Sequence, residues 1–222
     1  MTRSGVDAMA SYDYIPTDKH VLVCGMTGTG KSYLAEQYLK GYDYVVKLDT
    51  KDETDERKRQ GISAWDDLKE NKDFTVCRTI TGLDDIDTDK IIYVPPYDEQ
   101  NQETFNTFFR WVFERENTLL WIDELMSIGT ANKYPFELGR IMQQGRSKNV
   151  GVWGCTQRPS SIPTIFPASC SYFFTFDLSL PDDRKKLMNI TGMPELMERP
   201  KGHNFWFYKM GDPKPIKAVL VK

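Results

Sequence analysis

The chain has 222 residues, 40% of them hydrophobic and 27% charged, with 29 Lys and Arg against 32 Asp and Glu. That length fills one α/β core and is short for two, and the composition is ordinary for a globular protein. No run approaches the roughly 18 apolar residues that cross a bilayer, and a net charge of −3 offers no global attraction to nucleic acid, so any such surface must come from local clustering.

The opening MTRSGVDAMASYDY lacks the apolar middle of a secretory signal and reads as a loose N-terminal arm, residues 1–18, ahead of a single domain, residues 19–222. His20 to Cys24 is a short apolar run ending at glycine, Lys31 to Lys40 has helical spacing through Leu34, Tyr38 and Leu39, and Tyr44 to Leu48 is a second apolar run. KDETDERKRQ, of mixed charge, reads as a solvated helix or loop. Leu83 to Lys90 reads as an acidic turn, without the ligand spacing of a calcium loop. Ile91 to Val94 is a third strand, stopped by Pro95-Pro96, and Glu103 to Glu116 places Phe105, Phe108, Phe109, Val112 and Phe113 on one helical face that belongs to the core.

Thr118 to Ile122 is another buried run, Phe136 to Ser147 a helix, and Val150 to Thr156 a strand. Ser171 to Phe176, Asn204 to Lys209 and Ile216 to Val221 are strand-like, with a helix from about Asp182 to Asn189 between the first two. This alternation predicts an α/β fold with a mainly parallel central sheet, helices on both faces, and antiparallel edge strands from the C-terminal part. The four cysteines, Cys24, Cys77, Cys155 and Cys170, form no CxxC pair and read as small buried hydrophobes. The missing apolar span and signal predict a cytoplasmic protein.

Gly25-Met26-Thr27-Gly28-Thr29-Gly30-Lys31-Ser32 follows a strand and precedes a helix. Glycines let successive N–H groups face inward, and the helix N-terminus, reached at Tyr33, adds positive potential, so the segment cradles phosphate. In that geometry Lys31 reaches the β- and γ-phosphate oxygens and the Ser32 hydroxyl ligates Mg²⁺, which makes ATP and Mg²⁺ the expected ligands. Asp123, at the tip of the run TLLWIDE, suits outer-sphere binding of the same ion, and Glu124 is placed to orient and deprotonate a water, unless it only caps the next turn. Gln157, after the Val150 to Thr156 strand, can hydrogen-bond the γ-phosphate or that water as a sensor, or simply stabilise a turn.

GMTGTGKS, LLWIDE and GRSKNVGVWGCTQRPSSIP resemble the FtsK/HerA superfamily of ring-forming DNA-pumping ATPases. VVKLDTKDE resembles that family's second strand, which usually ends in aspartate, proline and lysine; here Thr50 replaces the proline. The resemblance runs from Val21 to about Phe207, and the compact size is most similar to viral and phage genome-packaging members. It implies a P-loop NTPase of the ASCE/RecA-like type, a homo-oligomeric ring of five or six subunits, ATP at each interface, double-stranded DNA through the centre, no membrane insertion, a capsid portal or vertex protein as partner, and a place in the host cytoplasm or on the virion. The family's arginine acting from the neighbouring subunit corresponds best to Arg146, with Arg140 and Arg158 as alternatives. Lys133, in the loop SIGTANKYP, is the candidate DNA contact if that loop faces inward in a ring; otherwise it is an exposed loop lysine. Other readings are an ATPase for filament assembly or protein translocation, and a nucleotide-controlled assembly switch. A small-molecule kinase fits less well, because an adjacent glutamate favours hydrolysis.

Overall fold

The computed structural model describes residues 14–220, so most of the expected arm, residues 1–13, lies outside the described residues. Residues 14–18 pack on the domain: Ile15 is buried, its carbonyl accepts from the Tyr42 hydroxyl at 2.8 Å, and the Tyr14 ring lies 4.8 Å from that of Tyr42. Packing therefore begins before the expected arm ends.

Nine strands form one sheet in the order β3-β4-β2-β5-β6-β1-β7-β8-β9. They are β1 (Val21–Cys24), β2 (Val45–Leu48), β3 (Phe74–Cys77), β4 (Lys90–Tyr93), β5 (Leu119–Ile122), β6 (Gly151–Thr156), β7 (Tyr172–Thr175), β8 (Asn204–Lys209) and β9 (Ile216–Val219). The first seven in spatial order run parallel, and β8 and β9 add antiparallel to β7. Every residue of β1, β2, β5 and β6 is buried, the expected consequence of a parallel sheet covered on both faces.

The helices are α1 (Lys31–Leu39), α2 (Glu53–Arg59), α3 (Gln102–Arg115), α4 (Phe136–Gln144), α5 (Ile165–Ser169) and α6 (Pro181–Thr191). The side chain of Asn101 caps α3 by accepting from Thr104 N at 3.0 Å, and the predicted stripe from Phe105 to Phe113 is buried in one of two core layers. Each such side chain contributes roughly 1.5–3 kcal/mol on burial. α2 turns the mixed-charge segment into a helix with acids in its first turn and bases in its last, matching the helix dipole. The helix expected from Phe136 to Ser147 is interrupted: α4 stops at Gln144 and a 3₁₀ turn, Gly145–Lys148, follows. The chain doubles back there so closely that a Cβ on Gly145 would meet the Val150 carbonyl at 2.4 Å.

Two elements were not expected: the edge strand β3 and the short helix α5. Among the described residues no helix is long and apolar enough to cross a membrane, no cluster of His, Cys, Asp and Glu could hold a metal, and all four cysteines are buried and free. His20 sits at the entrance to β1, where burial lowers its pKa from 6.5 to about 4 and its Nδ1 accepts from Val152 N at 3.1 Å. Its folded pKa lies below the unfolded one, so its contribution is present above pH 6.5 and is lost as pH falls through about 4. That loss is about 3 kcal/mol at most. Urea midpoints measured from pH 7 to pH 4 should fall, and His20→Gln should flatten the slope; identical slopes would contradict this.

Candidate active site

The C-terminal ends of β1, β2, β5 and β6 converge on a cavity of about 340 Å³ lined by the glycine-rich loop, Lys51, Glu53, Glu56, Asp123 and Gln157. Gly28 and Gly30 adopt φ of +79° and +107°, conformations that L side chains rarely take. At Gly30 there is no room either, since an added Cβ would lie 2.6 Å from Leu220. Gly30 opens α1 without a capping side chain, so the first N–H groups of that helix, at Lys31 and Ser32, face the loop where an anion would sit. Thr29 Oγ1 donates to the Met26 carbonyl at 2.8 Å, and Lys31 Nζ donates to the same carbonyl at 3.0 Å, which holds the ammonium over the loop. Burial lowers the Lys31 pKa, partly offset by the Glu124 and Asp123 carboxylates.

The two acidic residues and the sensor candidate meet here. Ser32 Oγ donates to Asp123 Oδ1 at 2.9 Å, across 91 residues of sequence. Gln157 spans the mouth of the pocket: its Oε1 accepts from Thr27 Oγ1 at 2.9 Å and its Nε2 donates to Glu124 Oε2 at 3.3 Å. Glu124 also caps the following 3₁₀ turn, Leu125–Ser127, through Met126 N at 3.5 Å, so its capping and pocket contacts coexist.

Lys51 is the site residue that motif reading left without a role. Its ammonium stands 3.1 Å from Glu124 Oε2 and 3.9 Å from Asp123 Oδ2. Burial works against its charge, but these two carboxylates raise its pKa. The signal was the lysine closing VVKLDTK; only the fold brings it to carboxylates more than 70 residues away. Thr50 hydrogen-bonds Ser127 and so ties the loop after β2 to the turn after β5.

Behind the pocket, Lys47 of β2 is 1% exposed, with its ammonium 4.3 Å from the Trp121 ring centre and 3.5 Å from Glu53. Burial opposes the charge, yet Glu53, Asp123 and Asp49 raise its pKa. Asp49 is itself held below the usual carboxylate range despite burial, by Lys47 and by N–H donors of Thr54 and Lys51. A buried lysine among carboxylates fixes the acidic side of the pocket.

The donors fit the expected ligands. A hydroxyl and a carboxylate oxygen 2.9 Å apart suit one inner-sphere and one water-mediated contact to Mg²⁺, an ion that usually keeps several waters and shares phosphate oxygens. The loop N–H groups and Lys31 suit a polyphosphate.

The arginine candidates differ in their commitments. Arg140 lies over the Phe113 ring at 4.2 Å and pairs with Glu137 at 3.3 Å; Arg158 pairs with Asp183 at 2.9 Å. Arg146 is 83% exposed and only loosely paired, with Asp18 at 3.6 Å. It precedes the N-terminal end of β6, whereas Gln157 follows the C-terminal end, so Arg146 and this chain's own pocket lie at opposite ends of that central strand. Lys133 is exposed in a tight turn closed by hydrogen bonds between Thr130 and Lys133, outside the pocket.

The family model described as ATPase family associated with various cellular activities (AAA) matches residues 21–178, from the start of β1 through the strand beyond Gln157. The chain belongs to this AAA family of ATPases. No curated protein matches its sequence. Its fold is shared with the genome packaging NTPase B204 from Sulfolobus turreted icosahedral virus 2 in complex with ATP-gammaS, at TM-score 0.75 and 14% identity over 94% of this chain and 100% of that one. B204, the DNA-packaging ATPase from Sulfolobus turreted icosahedral virus, gives 0.71 at 16% identity over 94% and 100%. VirB4 of Thermoanaerobacter pseudethanolicus gives 0.57 at 12% over 91% and 89%. The fold neighbours of this AAA ATPase thus include viral genome-packaging NTPases and VirB4, and the expected P-loop α/β architecture with antiparallel edge strands is the one observed.

Proposed function

We propose that this ATPase is the motor subunit of a ring of five or six copies that translocates double-stranded DNA and packages a viral genome into a capsid, working in the host cytoplasm or on the virion against a portal or vertex protein. The observation that carries the reading is the end-to-end likeness of fold to packaging NTPases, over 94% of this chain and all of that one. The catalytic half is carried by the bridge from Thr27 through Gln157 to Glu124 at the pocket mouth.

In this mechanism the N–H groups from Gly28 to Tyr33 and the Lys31 ammonium bind and orient the β- and γ-phosphates of ATP. Ser32 and Asp123 would hold Mg²⁺, which would neutralise phosphate charge. Glu124 accepts a proton from a water whose oxygen bonds to the γ-phosphorus, as the bond from that phosphorus to the bridging oxygen breaks and ADP leaves with the electron pair. Gln157, with a donor and an acceptor, orients the water and registers the γ-phosphate. Lys51 holds the Glu124 carboxylate in place. Arg146 of one protomer reaches the pocket of the next and stabilises the charge spreading over the γ-phosphoryl oxygens. Lys133, repeated around the ring, forms a basic collar for the DNA backbone that a net charge of −3 per chain conceals.

ATP turnover by the assembled protein should rise on adding double-stranded DNA of any sequence. The stimulation should fall steeply between about 50 and 200 mM salt, because phosphate contacts release counterions. Turnover indifferent to DNA at both salt levels would refute the translocation reading. In that case co-purification with a filament or coat protein would favour a motor acting on protein.

A further inference from the structure

Gln157 can act only if its backbone is held while its side chain spans Thr27 and Glu124. The residues on both sides of it are fixed. Thr156, fully buried at the end of β6, accepts at Oγ1 from Arg158 N at 3.1 Å. Beyond Gln157, the loop is fastened to a different element, the first turn of α6. There the carboxylate of Asp183, 1% exposed, takes three donors from two neighbouring residues: Arg158 Nε at 2.9 Å, Ser160 N at 2.9 Å and Ser160 Oγ at 2.6 Å. Lys186, one turn further along α6, adds a second tether to the same loop by donating to the Ile162 carbonyl at 2.7 Å.

A buried carboxylate is costly unless charge and hydrogen bonds compensate it; Lys186 and the helix N-terminus contribute from α6, and the hydrogen bonds to its side chain come from the segment that carries Gln157. The interaction is therefore strong in one geometry and lost in others. Small displacements matter at such a place, because an orienting group moved by about 1 Å can cost up to about a hundredfold in rate.

We propose that Asp183 is a positioning residue for hydrolysis: it clamps Arg158 and Ser160 so that Gln157 bridges the phosphate loop and Glu124, although Asp183 touches neither nucleotide nor water. The inference rests on the ATPase reading and on Gln157 as the group that orients water; it is independent of DNA. It also assigns the Arg158 guanidinium to its own chain, which removes Arg158 as the arginine acting between subunits.

The test is a double-mutant cycle on basal ATP turnover in the full chain, with Asp183→Asn, Gln157→Ala and their combination, and equilibrium binding of an ATP analogue measured alongside. Asp183→Asn is expected to lower kcat about tenfold while leaving KM within about twofold, the pattern of an interaction felt in the transition state. In the Gln157→Ala background it should lower kcat no further. Arg158→Gln, which removes the guanidinium but leaves both Ser160 donors on Asp183, should lower kcat in the same direction and show the same non-additivity. The cycle can then be completed even if Asp183→Asn fails to fold. Equal losses in both backgrounds, or a change in KM with kcat intact, would overturn the proposal while leaving the ATPase assignment standing. No turnover in the unaltered protein would overturn both.

Discussion

An Arg146→Ala protein is expected to bind ATP normally and to hydrolyse it about 10³- to 10⁵-fold more slowly, the range associated with an arginine supplied to a γ-phosphoryl group. The expectation follows from how the three candidates are held. The Arg140 guanidinium lies over the Phe113 ring and pairs with Glu137, which Arg110 also holds, and that of Arg158 is bound to Asp183, so each already has a charged partner on a buried carboxylate of its own chain. Arg146, 83% exposed, gives up only a 3.6 Å contact with Asp18, an interaction worth little at a surface. Its place at the strand end opposite its own pocket keeps it from acting there within one chain, which leaves a neighbouring copy as the target under the proposed ring. Turnover and analogue binding measured in parallel check this. Normal turnover in Arg146→Ala, with collapse in Arg140→Ala, would move the assignment to Arg140.

Glu124→Gln should retain ATP binding and lose about 10²- to 10⁴-fold in turnover, the usual worth of a positioned general base. The amide has nearly the shape of the carboxylate and can still offer its one oxygen to Met126 N, so the turn Leu125–Ser127 should persist, while its NH2 group then faces Gln157 Nε2 and cannot accept from it. What disappears is the basicity and the ion pair with Lys51. Nucleotide trapped unhydrolysed after gel filtration would show the expected state; turnover close to that of the unaltered protein would leave Glu124 as a cap only.

The order of elements was legible because this sheet is buried on both faces and its strands are continuous apolar runs. The catalytic strands β1, β5 and β6 are all of that kind, and the glycine-rich loop announces its own geometry. The misses have a common cause. In β3 the two central residues, Thr75 and Val76, are only half-buried, the segment is flanked by Asp73 and Arg78, and pairing with β4 makes it a strand. The end of α4 depends on a close approach of Gly145 to Val150 that no local pattern encodes. In the site, Ser32 could be named from the glycine-rich loop, and Asp123, Glu124 and Gln157 from strand ends. By contrast, the pairing of Lys51 with Glu124 and of Asp183 with Arg158 joins residues separated by long stretches of chain. Even the mixed-charge segment that became α2 contributes Glu53 and Glu56 to the pocket wall, a role set by the fold rather than by its charge pattern.

The central claim is that one protomer's Arg146 completes the pocket built by another's Lys31, Glu124 and Gln157. Mixing Glu124→Gln with Arg146→Ala, each inactive alone, tests it most directly. Some interfaces in the mixture then pair an intact Glu124 pocket with an intact Arg146, so ATP turnover should recover to a substantial fraction of the unaltered rate and vary with the mixing ratio. Turnover that stays at the level of the separate variants at every ratio, in a mixture shown to co-assemble, would contradict the account.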